Sequence, residues 1–132
     1  MSAVDDQLAA ARADLTRLTP EAAHALQTSG EALLVDIRPI ANRGDEGEIP
    51  GALPIERIHL EWRLDPAGDH RIDGFTPNTT VVVLCNEGYA SSFAARDLKR
   101  LGLPRATDLI GGYRAWQAAG LPTQPGGTPA IP

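Results

Sequence analysis

The sequence predicts an α/β fold with a mostly parallel central sheet flanked by helices. Two short runs dominated by apolar residues, Ala32-Leu33-Leu34-Val35-Asp36-Ile37 and Val81-Val82-Val83-Leu84-Cys85, read as strands covered on both faces rather than on one. Helix start and stop signals lie between and after them, and strands that alternate with helices pack as a parallel sheet between helical layers.

The elements follow in order. Leu8, Ala11, Leu15 and Leu18 recur at helical spacing over residues 5–18, although Leu15-Thr16-Arg17-Leu18 suits an extended segment equally well. Thr19-Pro20-Glu21 is a helix start: a hydroxyl to cap free amides, a proline at the first helical position, and a carboxylate at the positive helix end. A helix from Pro20 to about Gln27 is expected, stopped by Gly30. After the first strand, Ala41 to Pro54 is rich in Gly, Pro and charge and reads as a long loop enclosing a short extended piece, Ala52-Leu53-Pro54-Ile55. Glu56 to Leu64 is expected to form a short helix, and Asp65 to Asn78 turns. Ser91 or Ser92 is expected to cap the next helix, with Phe93, Ala94, Leu98 and Leu101 on its apolar stripe and Gly102 at its end. Thr107 to Ile110 reads as a strand, and Gly111-Gly112 precede a last helix, Tyr113 to Ala119.

These elements make one domain over residues 1–122, of which 1–15 form a helical N-terminal extension, while the Pro/Gly-rich residues 123–132 are expected to be a flexible tail. The chain carries 17 acidic and 12 basic residues with no basic cluster, so nucleic acid is not an expected partner. No apolar run approaches the ~20 residues needed to cross a bilayer. The start, Met1-Ser2-Ala3-Val4-Asp5-Asp6, lacks the positive charge and apolar stretch of a secretory signal, which points to the cytoplasm.

Cys85 is the single cysteine, and His24, His59 and His70 are scattered, so neither an intrachain disulfide nor a zinc site is expected. The thiol stands first in a strand-loop-helix segment, at the strand end where parallel sheets collect their ligands. A tight loop there can turn successive N–H groups inward as an anion-binding concavity, with Gly88 supplying a positive φ or a close approach. A thiol in that field, beside a helix amino end, ionises more readily than a free cysteine. A free cysteine at a strand end is also commonly a small core residue.

Five segments occur in order: Arg17-Leu18-Thr19-Pro20-Glu21, Val35-Asp36-Ile37-Arg38, Gly47-Glu48-Ile49-Pro50-Gly51-Ala52, Cys85-Asn86-Glu87-Gly88-Tyr89-Ala90-Ser91 and Gly111-Gly112-Tyr113-Arg114-Ala115-Trp116. Through them the chain resembles the single-domain rhodanese-like sulfurtransferase family over about residues 16–122. The resemblance implies the rhodanese-like three-layer fold and a sulfane-sulfur transfer in which Cys85 becomes a persulfide. It further implies that the amides of Asn86, Glu87, Gly88, Tyr89, Ala90 and Ser91 cradle the sulfur anion. Asp36 and Arg38 match the family's Asp-x-Arg, a loop-ordering pair or part of the active-site rim, and Arg38 and Arg43 could lend positive potential to the pocket mouth. The implied partners are a small sulfur donor, thiosulfate or a persulfide, and a thiol, cyanide or thioredoxin-like acceptor; no cofactor is implied.

Three departures modify that expectation. Ala90 stands where the family often has arginine, and Glu87 adds a negative charge to the loop, both of which disfavour a dianionic donor. Glu48 replaces a usual histidine, at a position that is structural in the family. Cysteine-dependent phosphatases need an arginine six residues after the cysteine, where this chain has Ser91, and no arginine occurs before Arg96. The competing function is a docking or redox-sensing domain, in which the lone thiol reacts with peroxide or forms a mixed disulfide.

Overall fold

The computed structural model describes residues 2–132. Its helices are α1 (Ala3–Ala13), α2 (Pro20–Thr28), α3 (Ile40–Glu46), α4 (Leu60–Leu64), α5 (Ala90–Arg100) and α6 (Gly112–Ala118), with a 3-10 turn over Arg57–His59. The strands are β1 (Ala32–Asp36), β2 (Leu53–Pro54), β3 (Thr80–Leu84) and β4 (Thr107–Asp108). Among the described residues these four form one parallel sheet in the order β2-β1-β3-β4.

The two apolar runs are the central strands, paired along their whole length from Ala32 opposite Thr80 to Asp36 opposite Leu84. Side chains alternate across the sheet. Val35, Val81, Val83 and Cys85 face Leu60, Leu64, Ala94 and Leu98 on one side; Leu34, Val82 and Leu84 face Ala23, Tyr113 and Trp116 on the other. The result is the expected three-layer arrangement, α4 and α5 on one face and α2 and α6 on the other. The chain leaves β1 toward the β2 edge and leaves β3 toward β4, so the loops diverge after the two central strands and open a crevice at their carboxyl ends.

α2 begins where its capping signal stands, with Thr19 Oγ1 accepting the Ala22 N–H at 3.2 Å. α1 ends at Ala13, and Leu18 is extended, bridged in parallel to Leu109. α1 lies against α5.

Two local expectations change. The stretch read as a loop after β1 contains α3. Its inward residue is the fully buried Arg43 and it includes Gly44, so it shows no apolar periodicity. Ser91 and Ser92 do not cap α5, which starts at Ala90; both hydroxyls donate instead to Asp108.

The tail, residues 123–132, also makes bonds to the domain. Gln124 pairs antiparallel with Glu48, and the Ile131 N–H donates to the Pro54 carbonyl at 2.8 Å. Glu48 holds the tail from below: its carboxylate accepts the Gly127 and Thr128 N–H groups at 3.2 and 3.1 Å and the Thr128 hydroxyl at 2.6 Å. It also pairs with Arg43, which in turn donates to the Thr128 carbonyl at 2.7 Å. Burial pushes the Glu48 carboxyl up, but the hydrogen bonds from Thr128 and Arg43 and the Arg43 charge prevail and hold it below its ordinary value.

Replacing Glu48 with Gln strands the Arg43 charge in the interior and is expected to cost about 3 kcal/mol in denaturant unfolding. Because the folded carboxyl lies below 4.5, its contribution is present above that pH and is lost as the pH falls through the lowered folded value. The melting temperatures of wild type and Glu48→Gln should therefore converge on acidification; a constant gap would refute the assignment.

Candidate active site

Cys85 follows β3 directly and is nearly buried, 9% exposed, at the floor of an open depression of about 360 Å³. The walls come from both diverging loops: Ile37, Arg38, Pro39 and Asn42 after β1, and Asn86, Glu87, Tyr89 and Ala90 after β3, with Arg57 at one side. The crevice predicted by the strand order is thus the pocket that holds the thiol.

The Gly88 N–H donates to Cys85 Sγ at 3.2 Å. This tight return of the chain uses a φ of +86° at Gly88, which L side chains rarely adopt, and a Cβ there would lie 2.8 Å from the Gly111 amide nitrogen. Gly112 closes the loop from beneath: a Cβ on it would lie 2.6 Å from the Cys85 carbonyl oxygen and 2.7 Å from the Glu87 nitrogen. The Tyr113 and Arg114 N–H groups, opening α6, donate to the Cys85 and Asn86 carbonyls at 2.9 and 3.1 Å. These bonds turn the loop carbonyls toward α6. Among the described residues, the amides of Asn86, Glu87, Tyr89, Ala90 and Ser91 have no protein acceptor.

Arg38 is buried and committed. It grips Asp36 through Nη2 at 2.7 Å and Nε at 3.0 Å, donates to the Gly47 carbonyl at 2.8 Å, and stacks over the Tyr113 ring at 4.2 Å. One contact remains toward the loop, Nη1 to Asn86 Oδ1 at 3.4 Å. Arg38 therefore shapes the wall rather than offering a free cation. Arg43 lies away from the pocket in its pair with Glu48, so it does not charge the mouth. Arg57, which sequence reasoning passed over, reaches the wall but is held by Glu61 and Asp97, each at 2.7 Å. Glu87 is on the rim, 58% exposed, with Arg114 Nη1 3.6 Å away.

The Ser91 hydroxyl donates to Asp108 at 2.8 Å, which leaves only its amide for the expected cradle. His59 and His70 do not line the pocket; His24 meets the Trp116 ring edge-on at 5.5 Å. Trp116 is core and Trp62 is 62% exposed. No arginine lies between Cys85 and Arg96, which sits within α5, bonded to Asp97 and stacked on Phe93. The oxyanion clamp of a cysteine phosphatase is therefore missing from the loop. Among the described residues, no helix is long and apolar enough to cross a membrane and no group of three or more His, Cys, Asp or Glu side chains is placed to hold a metal ion.

A three-layer domain that presents one thiol at the end of a central parallel strand, over an arginine-free loop of open amides, belongs to the class of loop-cysteine α/β proteins. A model of the rhodanese-like domain matches residues 19–119, and the chain belongs to that family. It is 30% identical over 110 residues to the thiosulfate sulfurtransferase GlpE of Actinobacillus succinogenes, covering 83% of this chain and 90% of that one. It is 31% identical over 108 residues to the adenylyltransferase and sulfurtransferase MOCS3 of Arabidopsis thaliana. That match takes in 76% of this chain, which spans only 23% of the length of the plant protein. A solved structure from Rhodopseudomonas palustris, a protein of unknown function described as a possible tyrosine phosphatase, superposes with a TM-score of 0.83 at 30% identity, covering 94% of this chain and 96% of that one.

Gly112→Ala tests the loop's support. The added methyl meets backbone rather than a side chain that can swing away, at a φ of +64°, so a loss of about 2 kcal/mol or more in urea unfolding is expected. Unchanged stability would mean that α6 does not hold the loop.

Proposed function

We propose that this chain is a rhodanese-type sulfurtransferase that carries a sulfane sulfur as a persulfide on Cys85. The observation that carries the reading is the Gly88 N–H aimed at Cys85 Sγ within a loop whose neighbouring amides are left open. The Cys85 thiolate attacks the outer sulfur of the donor; the new S–S bond forms as the donor's S–S bond breaks, and its electron pair leaves with the donor remainder as a thiolate or sulfite. An acceptor nucleophile, a thiol or cyanide, then attacks the outer sulfur of the persulfide and Cys85 leaves as thiolate. With one cysteine in the chain, discharge needs an outside acceptor. The loop amides serve the anionic sulfur as an oxyanion hole serves oxygen.

The donor class follows from charge. Arg38 and Arg57 are neutralised by Asp36, Glu61 and Asp97, and the rim carries Glu87, only loosely offset by the exposed Arg114 at 3.6 Å. A dianion such as thiosulfate meets no unpaired guanidinium in this pocket, whereas an organic persulfide of lower charge avoids the rim's repulsion. The name of the GlpE relative supports sulfur transfer; the charges favour a persulfide over thiosulfate as donor.

Intact mass after incubation with an alkyl persulfide donor that carries no carboxylate should show a gain of one sulfur atom on the wild type and none on Cys85→Ser. Transfer to cyanide should stop in the variant. Glu87→Gln should raise kcat/KM for thiosulfate more than for the persulfide, by about three- to tenfold, since it removes one rim charge. Equal background rates for wild type and Cys85→Ser on every donor would leave the docking-domain reading standing instead.

A further inference from the structure

The N-terminal helix α1 lies outside the segment that the family model matches, yet it reaches the cysteine loop. Arg12, in its last turn, donates through Nη2 to the Gly88 carbonyl at 2.7 Å and through Nε to Ser92 Oγ at 3.0 Å, and its guanidinium lies 5.6 Å from the centre of the Tyr89 ring. Arg17 donates to the same carbonyl at 3.1 Å while its Nε holds Asp108 at 2.8 Å. Two guanidinium groups thus converge on one backbone oxygen of the loop.

That oxygen belongs to the Gly88–Tyr89 peptide. The peptide is trans, so its carbonyl and its N–H point in opposite directions. With the carbonyl drawn toward α1, the Tyr89 N–H is directed away from α1 and has no protein acceptor among the described residues. The preceding N–H, that of Gly88, already bonds to Cys85 Sγ. Electrostatics act in the same sense. Arg17 is balanced by Asp108, but Arg12 forms no salt bridge with a carboxylate among the described residues, so its charge is spent on the loop carbonyl and on Ser92. A cation on the oxygen end of a peptide leaves the N–H end a stronger donor.

We infer that Arg12 is a positioning residue for sulfur transfer: by pinning the Gly88 carbonyl from behind, it holds the Gly88 and Tyr89 N–H groups in the arrangement that stabilises the persulfide anion on Cys85. The inference rests on the sulfurtransferase reading and deepens it, by assigning part of the persulfide cradle to a helix outside the matched domain. Arg12 touches neither the thiol nor the donor and acts through the peptide it restrains.

The test compares full-length wild type, Arg12→Gln and Arg12→Lys by steady-state kinetics with a persulfide donor and cyanide, by the lifetime of the Cys85 persulfide in intact-mass spectra, and by the rate of Cys85 alkylation with iodoacetamide at neutral pH. Arg12→Gln should lower kcat by about tenfold with KM changed less than twofold, shorten the persulfide lifetime and slow alkylation, as expected for misplacing one donor to an anion. Arg12→Lys, which keeps the charge but can reach only one of the two acceptors, should recover between a third and two-thirds of each loss. Wild-type kcat, persulfide lifetime and alkylation rate in Arg12→Gln would overturn the inference. So would a loss in Arg12→Gln that Arg12→Lys repeats in full while both proteins merely melt earlier. If Arg12→Gln does not fold, Arg12→Lys decides alone, since unaltered persulfide lifetime and kcat/KM split there would refute a two-acceptor brace. A wild type that takes up no sulfur sinks the sulfurtransferase reading separately, and the alkylation rates then still decide the brace.

Discussion

A carboxylate with no exposed surface must be compensated where it lies, and the Asp108 carboxylate at the end of β4 is fully buried. Its oxygens accept from Arg17 Nε at 2.8 Å, from Arg17 Nη2 at 3.2 Å and from the hydroxyls of Ser91 and Ser92 at 2.8 Å each. These partners come from the segment before α2 and from the first turn of α5, so one buried charge joins the chain's start to the helix that follows the cysteine loop. Leaving such a charge unpaired costs about 3–5 kcal/mol, which fixes the partners tightly. The Ser92 hydroxyl passes the constraint to Arg12, and Arg12 and Arg17 pass it to the Gly88 carbonyl. The loop is therefore held from behind by a chain of bonds that ends in a fully buried anion.

A second ion pair holds the opposite wall. Asp36 closes β1 and fixes Arg38 across the crevice, where the guanidinium stacks on Tyr113 and binds the Gly47 carbonyl. The two networks place charge differently. Behind the loop, a guanidinium without a carboxylate partner meets the backbone; in the pocket, each arginine is matched by acid and the rim carries Glu87. Anion stabilisation is thus delivered through oriented peptides at short range rather than by an open cationic field, which favours an anion formed in place on Cys85 over a highly charged one arriving from solvent.

What the sequence revealed was what local physics encodes. The central strands needed only their apolar runs, and α2 only Thr19 and Pro20, because strand burial and capping are settled within a few residues. Cys85 was legible for the same reason: strand, loop, Gly88 and helix follow one another directly. α3 was hidden because its buried face is Arg43, a residue that reads as surface until Glu48 and Thr128 are folded around it. The tail's bonds to the domain were hidden because Glu48 and Thr128 are separated by 80 positions. Ser91 and Ser92 look like caps, yet a buried carboxylate from β4 competes for their hydroxyls and wins. Arg12 and Arg57 carried no motif at all; their partners lie 76 and 40 positions away, and only the packing of α1 and of α4 beside α5 brings them to the loop.

The same geometry fits the proposed sulfur chemistry better than phosphoryl transfer. A phosphoryl group in transfer spreads two or more negative charges over three oxygens and needs a bidentate guanidinium, which the chain from Cys85 to Ala95 cannot supply and which Arg96, tied to Asp97, does not offer. A persulfide carries one charge at most, on a large, polarisable atom close to the backbone. Amide donors 3 Å or so away suffice for it, and an arginine in the loop would attract competing oxyanions to the same place. A loop with Ala90 and Glu87 and no cation of its own therefore loses little in stabilising such an intermediate, while it offers no attraction to a dianionic donor. If Cys85 carries sulfur as proposed, selectivity among donors and stability of the carried sulfur fall to different parts of this site: the rim that faces solvent for the first, and the peptides restrained from α1 for the second.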